Sequence, residues 1–369
     1  MQPHPATPQT LREIRRQLPE PALNLEPPVE ALRAEITPVG VFFVRNNGTL
    51  PDVAESEGPG WTLSVEGLVS RPFRISLAEL RERFEVVELV SVLECAGNGR
   101  ASIAPAVDGL PWGPGAVGCA RWTGFRLADL LAAAGADSGA VYLGFEGADH
   151  AIGKPGVQAL SRGLPMAKAL APETLLAFAM NGAPLAREHG FPLRVVAPGF
   201  PGSAWQKWLT RILVLDREHD GAKMTGLDYR MPRHPLSPGD PLDPAAFEVI
   251  TDMPVKSLVT EPSAGFQATG PLSVAGFAWS GHVPVAMVEV SADGGSSWHP
   301  AQLEAGEGPW AWRRFRAGGL TPPPGPVELL ARATDRQGRA QPLLPAWNPR
   351  GYLNNAVHRV AGTLLPGGA

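Results

Sequence analysis

The chain reads as short apolar runs rich in β-branched residues, separated by Gly, Pro and Asn-Gly punctuation. Residues 41–44 predict a short strand ended by Asn46-Asn47-Gly48, and residues 61–69 a strand closed at Arg71-Pro72. Ser76 is placed to cap a helix over residues 77–83 with its side-chain oxygen. Residues 86–93 are strongly apolar, which predicts a buried strand delivering Cys95-Ala96-Gly97-Asn98-Gly99-Arg100 at its C-terminal end. Residues 126–134 form an amphipathic helical pattern. Strands are expected at 141–145, 191–197 and 211–215, a mixed segment at 172–179, and a turn at Asn181-Gly182. A polar, Pro-rich stretch with a short helical piece over residues 11–18 precedes all of these.

The pattern changes after residue 231, where a Pro-rich linker runs to residue 241. Beyond it come strands expected at 255–260, 272–279, 285–291, 311–315 and 327–334. Asp293-Gly294-Gly295 is a hairpin-turn signal among them. Such spacing predicts a β-sandwich, with a domain boundary near residue 245. Residues 1–35 read as an N-terminal arm. Two domains suit a chain of 369 residues.

Composition excludes several functions. The net charge of −4 supplies no general field for nucleic acid or an acidic membrane, so a bound anion needs a local cluster of cations. No apolar run reaches the roughly 20 residues that span a bilayer. Arg15-Arg16 is followed by no hydrophobic stretch, so neither a signal core nor a twin-arginine leader is read. The expected compartment is the cytoplasm, or the periplasm should an export leader precede the chain.

Only Cys95 and Cys119 are available, too few for a disulfide framework. Cys119 sits in Gly118-Cys119-Ala120-Arg121-Trp122 and reads as a small buried residue. Cys95 has no second Cys or His at ligand spacing, which argues against zinc. On its own it is a buried structural residue, a thiolate ligand, or a nucleophile partnered by His150 or His189.

The run Leu93-Glu94-Cys95-Ala96-Gly97-Asn98-Gly99-Arg100 resembles the signature of the sulfite oxidase family of molybdopterin enzymes. So do Phe42-Phe43-Val44-Arg45-Asn46-Asn47, Glu188-His189-Gly190-Phe191-Pro192-Leu193-Arg194, Lys207-Trp208-Leu209, Asp228-Tyr229 and Trp347-Asn348-Pro349-Arg350-Gly351. These six segments occur in order over most of the chain. The resemblance implies an α+β molybdopterin-binding domain over residues 36–245, then an immunoglobulin-like dimerisation domain over 246–369.

It further implies a molybdenum cofactor whose metal is held by Cys95, a soft thiolate suited to such a metal. The implied cofactor-binding positions are Phe43, Val44, Arg45, Asn46, Asn47, Asp149, His189, Arg194, Trp205, Gln206 and Lys207, with backbone amides of residues 203–206. Arg194 and Lys207 suit a phosphate, and Asp149 suits pterin N–H groups. Arg45, Arg100 and Arg350, lined by Trp112 and Tyr229, correspond to the family's pocket for a small oxyanion. The implied reaction is oxidation of sulfite to sulfate, in a homodimer. No Cys-x-x-Cys-His haem signal is present, so electrons are expected to pass to a separate acceptor such as a cytochrome.

Three positions depart from the pattern. Asn47 stands where the family usually has His, Gly99 where many members have Arg, and Ala204-Trp205 where Arg often precedes Lys207. A weaker positive pocket is expected. The alternatives are reduction of another oxyanion or a sulfoxide, a cofactor-binding protein with a degenerate site, and a Cys–His hydrolase.

Overall fold

The computed structural model describes residues 22–366 and the backbone of Arg16–Gln17. The first domain is built on two sheets. One runs, in spatial order, Gly163–Pro165, Tyr142–Gly147, Leu209–Leu215, Thr62–Gly67 and Phe73–Ser76. The other runs Ala183–Pro184, Leu175–Met180, Val117–Arg126 and Val87–Glu94, with Arg194–Val196 also pairing on Leu175–Met180. Helices are few and short, so the α+β architecture is mostly β.

Local chemistry explains the helices. Ser76 accepts from the Glu79 amide at 3.2 Å, while the Glu79 carboxylate accepts from the Ser76 amide at 2.8 Å. This reciprocal cap starts the helix Leu77–Arg83. The helix Leu127–Ala134 buries Leu127, Leu130, Leu131 and Ala134 on one face, and ends at Gly135 with φ 64°.

The strand carrying Cys95 is Val87–Glu94, fully buried only from Val90 onward. It pairs with Val117–Arg126 from Val87↔Gly124 to Glu94↔Val117. Four sequence expectations need correction. Residues 39–41 form a 3-10 turn, and only Val44 makes an isolated bridge, to Leu25. The strand expected over 191–197 is limited to Arg194–Val196. Arg16–Gln17 is a strand paired with Leu25–Glu26 instead of part of a helix; the rest of that expected helix lies outside the described residues. The linker opens with a strand, Arg230–Pro232, paired with Phe247–Val249.

The second domain is a two-sheet sandwich. Lys256–Glu261, Leu272–Trp279, Arg313–Leu320 and Gln302–Leu303 form one sheet; Phe266–Thr269, His358–Leu365, Gly325–Asp335, Val285–Ser291 and His299–Pro300 form the other. Its core includes Val274, Val288, Phe315, Leu329 and Val360.

A third apolar cluster joins the domains. Val90, Val92, Val117 and Cys119 of the first pack with Leu258, Phe277, Trp279 and Trp312 of the second, and with Leu32 near the N-terminus. Burial there pushes the Cys119 thiol up to about 12, in keeping with a small packed residue. Beside this cluster lies a polar network. The buried Glu94 carboxylate accepts from Lys256 Nζ at 3.0 Å, Asn98 Nδ2 at 3.0 Å and Trp279 Nε1 at 2.7 Å.

Removing one side of a buried pair strands the other charge without a partner. Lys256→Met should therefore cost about 3–5 kcal/mol in urea unfolding. Adding Glu94→Gln should recover a large part, because it removes the buried charge left without its partner while the amide oxygen keeps one of the two remaining donors, Asn98 or Trp279. A single variant as stable as the parent would show that this pair does not hold the domains together.

Candidate active site

Cys95 leaves the strand Val87–Glu94 into a tight loop, in which Asn98 N donates to Cys95 O at 2.9 Å and Arg100 N to Gly97 O at 3.0 Å. The cysteine is buried and lines a cavity of the first domain walled mostly by loop residues, with Leu93 and Arg194 from the sheet that carries it. Phe43, Arg45, Asn46, Asn47, Asp149, His189, Arg194, Trp205, Gln206, Lys207 and Tyr229 line the same cavity. Leu93, Leu160, Glu188, Gly202, Ser203 and Trp208 complete its wall. Of the sequence-derived cofactor positions, Val44 and Ala204 lie off this wall, the backbone of Val44 being engaged with Leu25.

Part of the stretch read as an N-terminal arm helps build the wall. Asn24 Oδ1 accepts from Arg45 Nη1 at 3.2 Å and from the Asn46 amide at 3.0 Å. Arg45 also donates through Nη1 to the Asn46 carbonyl and through Nη2 to Asn47 Oδ1 at 2.9 Å. Nothing in the sequence pattern marks Asn24, because it sits in an irregular segment with no periodicity.

The cavity gathers cations. Arg194 is buried, donating to the carbonyls of His189 at 2.7 Å and Trp205 at 3.3 Å. Its guanidinium lies over the rings of Trp122 and Trp205, and burial pulls its pKa down to about 9. Lys207 Nζ donates to Arg45 O at 3.1 Å, Glu188 O at 2.8 Å and Asn46 Oδ1. Desolvation, and then Arg194 beside it, pull this ammonium well below the usual lysine range. Asp149 is buried too, and desolvation pushes its carboxyl up to about 6 against the pull of Lys207.

Asp149 Oδ1 and Ser203 Oγ are buried with no protein partner. Buried polar atoms are almost always satisfied, so two such atoms in one cavity wall mark it as built for a polar ligand. Three non-glycine residues here also hold positive φ, Trp208 at 50°, Lys223 at 65° and Tyr229 at 53°. Such strain persists only where surroundings over-determine it, commonly at functional sites. Among the described residues no group of three or more His, Cys, Asp or Glu side chains could hold a metal. A metal at Cys95 would take its remaining ligands from a cofactor.

Three expected substrate residues do not line this cavity. Arg100 is buried against the backbone at Gly97 and Gly109, where a Cβ would meet its guanidinium at 2.4 and 2.9 Å. Its Nε donates to Arg350 O and its Nη1 to Leu110 O, both at 2.7 Å. Arg350 does come from the second domain, and lies 3.8 Å from Asp228. Trp112 is fully buried and meets the Phe43 ring edge-on at 6.4 Å. Lys223 and Arg162, absent from the sequence reading, stand beside Tyr229 and Asn47. A lone Lys in a loop and an Arg in Ser161-Arg162-Gly163 carry no motif that would single them out.

Residues 47–223 match the family model described as oxidoreductase molybdopterin binding domain, and residues 247–364 that described as Mo-co oxidoreductase dimerisation domain. Sulfite oxidase of Gallus gallus is 38% identical, aligned over 91% of this chain and 75% of its own length. Mitochondrial sulfite oxidase of Mus musculus is 37% identical, over 93% of this chain and 64% of its own length. A nitrate reductase [NAD(P)H] of Hordeum vulgare is 33% identical, over 91% of this chain and 40% of its own length. The chain thus spans less than two thirds of the mouse and barley proteins. Among solved structures, the sulfane dehydrogenase SoxCD of Paracoccus pantotrophus matches with a TM-score of 0.80 at 27% identity, covering 97% of this chain and 90% of that one.

The raised Asp149 carboxyl has a measurable consequence. Its stabilisation of the fold is complete below the unfolded value of 3.8 and lost as pH rises through about 6. At about 1.4 kcal/mol per pKa unit, the cofactor-free protein loses on the order of 2–3 kcal/mol from this group between about pH 4 and pH 7. Asp149→Asn should remove that component in urea unfolding across this range. Equal pH slopes in the two proteins would exclude Asp149 as the source.

Proposed function

The chain belongs to the sulfite oxidase family of molybdopterin-binding oxidoreductases, and from that premise we propose that it oxidises sulfite to sulfate and passes two electrons to a separate acceptor. The observation that carries this reading is the meeting of the Cys95 thiol with Arg45, Arg194 and Lys207 around one cavity. The cavity fits the cofactor. Asp149 Oδ1 and Ser203 Oγ are buried acceptors awaiting donors, and the cations oppose a phosphate.

Cys95 would hold the metal through its thiolate. Asp149 and Ser203 would accept from pterin N–H groups, and Asn46, His189 and Gln206 supply further polar edge. Arg194 and Lys207 would face the phosphate, although both now donate to protein oxygens and must share or exchange those bonds. When bound, the cofactor supplies the oxygen-atom and two-electron chemistry.

The protein's share is binding and orientation. Arg45 and Tyr229 stand at the cavity wall, where a guanidinium and a phenol hydroxyl can hold a small oxyanion. The balance is sulfite plus water giving sulfate, two protons and two electrons. A cytochrome is the proposed class of acceptor. The homodimer is proposed to form through residues 247–364, the segment matched by the dimerisation model.

Reduction of another oxyanion is the second reading, favoured by the similarity to a nitrate reductase. Nitrate-dependent oxidation of a reduced viologen, without sulfite turnover, would establish it instead.

Metal analysis of the purified protein should give molybdenum near one per chain, with sulfite-dependent reduction of ferricyanide. Losing one outer-sphere partner of a metal ligand costs about 10–100-fold, so Cys95→Ser should lose more than about 100-fold in sulfite turnover. Full turnover in that variant would refute the thiolate assignment. Light scattering should report a dimer, and a monomer at all concentrations would remove that claim.

A further inference from the structure

Three donors converge on one neutral atom at the cavity wall. Asn47 Oδ1 accepts from Arg45 Nη2 at 2.9 Å, Lys223 Nζ at 3.0 Å and Tyr229 OH at 3.3 Å. An amide oxygen has two lone pairs, so three donors exceed what it can serve well. Two of the three are cationic, and a charged oxygen would satisfy them better than an amide dipole. We propose that Lys223 is a specificity-determining residue for the substrate: with Arg45 and Tyr229 it forms the oxyanion subsite, and Asn47 Oδ1 marks where one anionic oxygen is held.

The surroundings hold this group in place. Arg162 is fully buried, and its Nη1 donates to Lys223 O at 2.6 Å. Its guanidinium lies 5.2 Å from the centre of the Tyr229 ring, while its Nε and Nη2 have no protein partner. Tyr229 also stacks on Tyr352, at 5.5 Å and 19°, and Arg100 lies 5.2 Å from that second ring. Each of the two stacked tyrosines thus has a guanidinium near its ring. Arg162 acts as a positioning residue, bracing the backbone of Lys223 and the ring of Tyr229 together. Arg100 donates to two backbone carbonyls and Arg350 lies 3.8 Å from Asp228; neither donates to Asn47 Oδ1.

The inference rests on the proposed function only in taking a small oxyanion as the ligand. Its test is calorimetric titration of sulfate into the oxidised, molybdenum-loaded protein, alongside sulfite kinetics. Lys223→Met keeps the side-chain length without the charge. Because Lys223 already stands at φ 65°, a non-glycine replacement faces the same kind of backbone strain. Sulfate affinity should fall about tenfold to a hundredfold, the range for losing a hydrogen bond to a charged group. The KM for sulfite should rise similarly while kcat falls less, and Lys223→Arg should recover most of the affinity. Lys223→Gln carries the test if the Met variant does not fold. Equal sulfate affinity in parent and neutral variant, or no sulfate binding by the parent, overturns the proposal. A parent that binds sulfate through Lys223 yet does not oxidise sulfite would sustain the subsite and discard sulfite oxidation.

Discussion

The Glu94 carboxylate, buried one residue before Cys95, is the constraint from which the rest of the site follows. An ionised carboxylate out of water is costly unless its oxygens are fully served. Glu94 is served by Lys256 and Trp279 from the second domain and by Asn98 from the cysteine loop itself. Asn98 Oδ1 in turn accepts from the Ala116 amide at 3.1 Å, and its carbonyl accepts from Lys256 at 3.3 Å. The loop is therefore tied at once to its own sheet and to the neighbouring domain. Further ties follow along it, where Leu353 N donates to Ala96 O, Asn354 Nδ2 to Gly99 O, and Arg100 Nε to Arg350 O. The second domain thus sets the conformation of the segment that presents the thiol.

Inside the cavity, the opposing requirement is to keep cations together without an anion. Arg45, Arg194 and Lys207 share one wall; desolvation opposes the charge on Arg194, and desolvation followed by the neighbouring Arg194 and Arg45 opposes it on Lys207. The protein meets this with carbonyl oxygens, at His189, Trp205, Glu188 and Arg45, and with aromatic faces at Trp122, Trp205 and Trp208. These are weak, neutral acceptors. A bound phosphate or oxyanion offers stronger ones, so ligand binding relieves repulsion as well as forming bonds.

What was readable in the sequence follows from how local each signal is. The helix Leu77–Arg83 was legible because its cap, Ser76 with Glu79, lies within four residues. The strands Leu272–Trp279 and Val285–Ser291 were legible from apolar patterning. Val117–Arg126 was not, since Gly118, Arg121 and Gly124 interrupt its pattern and long-range pairing alone makes it a strand. The segment 41–44 misled for the opposite reason: Phe42 and Phe43 are apolar because they pack in the core beneath the cofactor wall, not because they join a ladder. At the site, Cys95 and the residues around Arg45 and His189 were legible through ordered motifs. Lys223 and Arg162 were not, because their relation to Asn47 and Tyr229 exists only after the chain has folded.

The arginines Arg100 and Arg350 show why a motif residue need not act through its donors. Arg100 has Nε and Nη1 committed to carbonyls, yet its charge remains beside the Tyr352 ring. A charge acts over several ångströms in a low-dielectric interior, whereas a hydrogen bond needs contact and alignment. Field and geometry can therefore come from different residues. Arg100 and Arg162 each lie near one ring of the tyrosine stack and supply field, while Arg45, Lys223 and Tyr229 supply contact at one point. On this division, Gly99 in place of Arg removes a charge from the loop without touching the contact group. Asn47 in place of His changes the atom on which the contact group converges. Its amide oxygen holds Arg45, Lys223 and Tyr229 together as a neutral acceptor, which an anionic oxygen can displace more easily than it could a charged group.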